Sequence, residues 1–167
     1  MKFEKFLKSV GTHGEVIART ESEKWLVCGG VGMVIPRGVD NLLGSPTKAE
    51  YASIVDVISK VDLDDPVTLE RAILLEPDGK AADIYRCFDT VDGFDEVVIC
   101  NADYGLLERK DNLGYFEVEI DCDEDGNALP ENEVKTIKYL LVFDHKKEIV
   151  GFITGAKLDP IARSRRA

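Results

Sequence analysis

Lys138–Leu158 reads KYLLVFDHKKEIVGFITGAKL. Tyr139-Leu140-Leu141-Val142-Phe143 is continuously apolar, and Ile149, Val150, Phe152 and Ile153 form a second apolar run. Asp144-His145-Lys146-Lys147 separates them as a polar turn. A strand that alternates apolar with polar residues has one wet face, whereas a continuous run has none. The stretch therefore predicts a hairpin buried on both sides. Upstream, EVVICN (96–101) and YFEVEID (115–121) read as strands, with a short helical segment, ADYGLLERKDNLG (102–114), between them.

Working outward, residues 2–10 predict a short amphipathic helix. Phe3, Phe6, Leu7 and Val10 fall at i, i+3, i+4 and i+7 and share a face, Lys2, Lys5 and Lys8 share another, and Gly11 stops the helix. GEVIART and KWLVCGGVGMVIP form paired arms across Glu21-Ser22-Glu23, with Gly29, Gly30 and Gly32 marking a bulge, bend or tight turn. Ser45-Pro46 opens a second helix running to about Lys60, with Tyr51, Ile54, Val55 and Ile58 on its buried face. Asp62-Leu63-Asp64-Asp65-Pro66 is the best linker, and residues 67–90 read as a hairpin across Pro77-Asp78-Gly79.

The chain has 167 residues, 44% hydrophobic and 32% charged, which is the composition of one soluble globular domain. A net charge of -11 excludes a surface that is basic throughout, but not a local basic patch. Cys28, Cys87, Cys100 and Cys122 show no CxxC pairing and are expected to be reduced thiols in a cytoplasmic protein. No apolar run approaches the ~18 residues of a membrane span.

Few constellations carry chemistry. Asp121, Asp123, Asp125 and Gly126 form DxDxDG, the opening of a calcium loop, yet the twelfth place holds Asn132 rather than a bidentate Glu, and a strand precedes the motif. An exposed acidic hairpin loop is the alternative. Gly30-Val31-Gly32 lacks the third glycine of a phosphate loop, its place being held by Ile35. His13 and His145 sit in loops without a nucleophile or ligand pattern, and Cys100 ends an apolar strand. Basic residues are segregated: Lys2, Lys5 and Lys8 on the first helix, Arg109 and Lys110 on the later segment, and Arg163, Arg165 and Arg166 in the tail. Such segregation fits phosphate contact over a limited surface.

The order EVVICN, NADYGLLERKDNLG, YFEVEI and the closing hairpin resembles the last module of DNA sliding clamps, and is close to the short clamp-like proteins of phages. Asn101, Tyr104, Leu106, Leu107, Leu113, Val118 and Ile120 occupy comparable places. The methionine-rich ending usual in clamps is replaced by Thr154-Gly155-Ala156-Lys157. The resemblance implies an α+β fold of antiparallel sheets with a few short helices packed on one face. It implies one clamp-like domain over 1–160; the order of a short helix followed by paired strands suggests half-repeats at 1–65 and 66–160, and the composition of the basic tail at 161–167 predicts disorder. The resemblance further implies a non-enzymatic, DNA-associated processivity factor of phage or prophage without a cofactor. Lys2, Lys5, Lys8, Arg109 and Lys110 would face duplex DNA backbone, with replication proteins or further copies of the chain as partners. The alternatives are a protein-interaction module on the same fold, and a calcium-binding or hydrolytic protein using Asp121, Asp123 and Asp125.

Overall fold

The computed structural model describes residues 1–11, 13–39, 47–48, 54–61, 67–75 and 85–157. Helix α1 (Phe3–Val10) leads into strands β1 (Glu15–Ala18), β2 (Lys24–Cys28) and β3 (Val31–Val34). The two-residue strand β4 (Thr47–Lys48) and helix α2 (Ile54–Ser59) follow. Next come β5 (Val67–Leu75), β6 (Tyr85–Thr90), β7 (Glu96–Cys100) and the single-turn helix α3 (Asn101–Tyr104). Strands β8 (Asn112–Ile120), β9 (Lys135–Phe143) and β10 (Ile149–Thr154) complete the order. The expected helix start at Ser45-Pro46, the linker 62–66, the turn at Pro77-Asp78-Gly79 and the tail 161–167 lie outside the described residues.

The strands form one ten-stranded sheet, ordered β4-β1-β2-β3-β10-β9-β8-β5-β6-β7. Every described pairing is antiparallel except β1 with β4. Because β3 pairs with β10, strands from residues 1–65 and 66–160 share this sheet. The sheet also curls. Beyond β10, the Gly155 amide donates to the Lys138 carbonyl (2.6 Å) and the Ala156 amide to the Val98 carbonyl (2.7 Å), so β7 returns to the chain leaving β10.

The closing hairpin lies between β3 and β8, as its apolar runs require. Successive side chains of a strand point to opposite faces. Leu140 and Val142 accordingly enter one core with Ile153, Met33, Leu26, Phe88, Val97 and Ile99. Tyr139, Leu141 and Phe143 enter a second with Trp25 and Phe152. Each face then needs a cover. Phe6 and Val10 of α1 and Leu106 beyond α3 close the first, whereas Val55 and Ile58 of α2 close the second. The helices thus lie on both faces, which corrects the expectation that they share one. The cause is the two-sided apolarity of β9.

Two local features refine the reading. Gly29 and Gly30 (φ +58° and +80°) make the tight turn between β2 and β3, a conformation in which a side chain is disfavoured. The segment 102–114 is helical only as far as Tyr104, and residues 112–114 belong to β8, where Leu113 pairs with Val142. No helix among the described residues is long and apolar enough to cross a membrane.

Candidate cationic surface and acidic loop

Helix α1 is bound to the turn after α3 through the backbone. The Lys2 amide donates to the Leu106 carbonyl at 2.8 Å. This puts the lysine face of α1 above Gly105, whose carbonyl accepts from Lys2 Nζ at 3.2 Å and Lys5 Nζ at 3.1 Å. A Cβ at position 105 would stand 2.8 Å from Lys5 Nζ, the free end of a flexible side chain that can swing aside. Lys8 follows on the exposed side of α1, and Arg109 and Lys110 are exposed on the segment leaving Gly105. Lys110 Nζ lies 3.2 Å from Glu108. The structure therefore brings Lys2 and Lys5 to the segment that bears Arg109 and Lys110.

One cation of this region has no signal in the residues near α1. Arg86 of β6 donates from Nε to Asn101 Oδ1 (3.1 Å), and its guanidinium lies 4.6 Å from the Tyr104 ring centroid. Tyr104 also meets the Phe88 ring at 6.2 Å. The β6–β7 register, which sets Tyr85 opposite Cys100, carries Arg86 to Asn101. Only a reading that fixed that register would have found it.

The acidic motif is a self-bonded turn. Asp123 Oδ1 accepts the amides of Asp125 (3.0 Å) and Asn127 (2.8 Å), and Oδ2 accepts Asn127 Nδ2 (3.2 Å). The Asn127 amide leads in holding this carboxyl below the usual carboxylate range. Asp121 contributes its carbonyl to the Leu129 amide and its carboxylate to the Cys122 thiol. Asp121, Asp123 and Asp125 are thus not gathered around a common point. Among the described residues, the group whose possible ligand atoms lie within 4.8 Å of one another is Cys87, Asp89 and Glu96. There the buried Cys87 thiol donates across the β6–β7 pair to Glu96 Oε2 at 3.3 Å, with Asp89 Oδ1 of its own strand at 3.8 Å.

The remaining candidates have structural settings. The Gly30 carbonyl accepts both the amide (2.8 Å) and hydroxyl (2.6 Å) of Thr154, and Gly32 lies within β3, so Gly30-Val31-Gly32 does not cradle phosphate at a helix start. Burial and the Asp103 carboxylate push the Cys100 thiol up, away from nucleophilic use. His145 borders a cavity of about 300 Å³ lined by the apolar Met1, Phe3, Met33, Pro36 and Val150 and by the charged Glu108, Lys110, Asp111 and Asp144.

No family model, curated protein or solved structure matches this chain.

Proposed function

We propose that this chain is a non-enzymatic, DNA-associated accessory protein that touches the backbone of duplex DNA through α1 and the segment after α3. The reading is supported by Lys2 and Lys5 converging on the Gly105 carbonyl, beside Arg109 and Lys110, in a chain of net charge -11. An acidic protein repels DNA everywhere except where cations are collected, so such a patch also fixes orientation. Ammonium groups on phosphates position a protein without reading sequence. A clamp-like role in replication, in a phage or prophage setting, belongs to the same proposal.

The test is anisotropy of a labelled duplex at low salt. Lys5→Glu with Lys8→Glu should abolish binding, while Lys5→Ala with Lys8→Ala should lower the slope of log K against log salt by roughly 2. Equal binding of wild type and the Glu variant overturns the reading.

A second reading, a protein-interaction module on this fold, is favoured by Phe94, which is 86% exposed.

A further inference from the structure

Away from the lysine surface, the β6–β7 pair gathers a fully buried thiol and two carboxylates. Cys87 and Asp89 stand two places apart on β6, so both project from one face, while Phe88 between them enters the main core from the other. The ladder sets Asp89 across from Glu96 and Cys87 across from Val98. Cys87 is 0% exposed and packs with Val98 and Tyr85 in a small apolar cluster of its own. A thiol has one proton and serves one carboxylate at a time. Yet Glu96 Oε2 and Asp89 Oδ1 both turn toward Sγ, at 3.3 and 3.8 Å.

The spacing suits a coordination shell. Zinc holds sulfur at ~2.3 Å and carboxylate oxygen at ~2.1 Å, so a tetrahedron around it has sulfur–oxygen edges of about 3.6 Å. The two observed separations fall on either side of that edge, and all three donor atoms lie within 4.8 Å of one another. Like charges directly opposite on a ladder repel, and a divalent cation between Asp89 and Glu96 turns that repulsion into shared attraction. The donors stand on strands, where their geometry is held. Just beyond them, the Thr90 amide donates to the Asp95 carbonyl (2.9 Å) and the Asp95 amide to the Thr90 hydroxyl (3.0 Å), which fixes Asp89 against Glu96.

We propose that Cys87, Asp89 and Glu96 form a zinc site, binding the ion through the Cys87 thiolate and one oxygen of each carboxylate, with solvent in the fourth place. A thiolate selects a borderline-soft ion over calcium or magnesium, which take oxygen ligands. Binding breaks the Cys87 S–H bond, and its proton passes to solvent as the sulfur–zinc bond forms. The ion ties β6 to β7, the last strand in the sheet order. The inference does not depend on DNA.

Cobalt(II) chloride, added to the reduced full chain without DNA, tests it, because thiolate-bound cobalt has a near-ultraviolet charge-transfer band. One equivalent should develop the band, and zinc chloride should bleach it. Cys87→Ser should abolish it, while Cys122→Ser, which removes the exposed thiol beside Asp121, should leave it intact. Asp89→Asn and Glu96→Gln should each weaken binding at least ~10-fold. Zinc should raise the thermal midpoint of wild type but not that of Cys87→Ser. Should Cys87→Ser fail to fold by circular dichroism, the two carboxylate variants decide the matter in the same titration. A wild type that develops no band overturns the inference and leaves a thiol hydrogen bond only. So does a band that survives Cys87→Ser, or a pair of carboxylate variants that bind cobalt as tightly as wild type.

Discussion

The carbon that Gly32 lacks would fall on the ring of Phe152, directly across the β3–β10 pair. Phe152 is fully buried, with its ring centroid 5.9 Å from that of Trp25 and 6.0 Å from that of Tyr139, and it has nowhere to retreat. Gly32→Ala should therefore destabilise the protein by about 1–3 kcal/mol through overpacking. Urea denaturation measures it, and an unchanged midpoint would show that the ring can move.

Trp25 is 0% exposed, yet its indole N–H has a partner, since Nε1 donates to Glu23 Oε1 at 2.8 Å. The same carboxylate takes a two-pronged contact from Arg19, Nε at 2.8 Å and a terminal nitrogen at 2.5 Å. Glu23→Ala leaves the indole without its acceptor and should cost about 1–3 kcal/mol. Glu23→Gln keeps an acceptor and loses only an exposed ion pair, roughly 0.2–1 kcal/mol.

The same pair of residues sets a pH dependence. The Arg19 hydrogen bond leads in holding the Glu23 carboxyl below its ordinary range. A depressed carboxyl stabilises the fold at pH values above its unfolded pKa of ~4.3 and ceases to do so as pH falls through the folded value. The stability gap between wild type and Glu23→Gln should be full at neutral pH and close in acid. Urea midpoints at the two ends of that range would reveal a gap that fails to close.

Cys122 is exposed, but the neighbouring Asp121 carboxylate, which accepts its thiol proton at 3.3 Å, pushes the thiol pKa up. Since the thiolate is the reactive form, iodoacetamide should label Cys122 more slowly than a free cysteine at mildly alkaline pH. Asp121→Asn should speed labelling several-fold. Peptide mapping with time identifies the site, and an unaltered rate would remove Asp121 as the cause.

How much of this was legible depends on how local each cause is. The two-sided burial of Tyr139–Phe143, the Gly29-Gly30 turn and the buried pair Val55 and Ile58 were written in runs of a few residues. Strand 112–114 was not, because Asn112 and Gly114 have poor strand propensity and join β8 only by pairing with Phe143 and Leu141. The placement of α2 opposite α1 depends on which face each strand offers, a property of the assembled sheet. Among site residues, the lysine stripe of α1 was visible by spacing, whereas its meeting with Gly105 joins residues about a hundred positions apart. Phe94 did leave a sign, an aromatic residue just after a turn glycine, where polar residues prevail.

The place of β10 between β3 and β9 also governs the timing of assembly. With roughly 5–20 residues added per second during synthesis, Met33 waits on the order of ten seconds for its partner Gly151 to emerge. Throughout that interval the β1–β3 meander has an open edge on β3, and Trp25 and Leu26 have only part of their cover. A nascent chain in this state is a template for pairing with its neighbours, so the hazard of aggregation falls on the unfinished polypeptide rather than on the folded one.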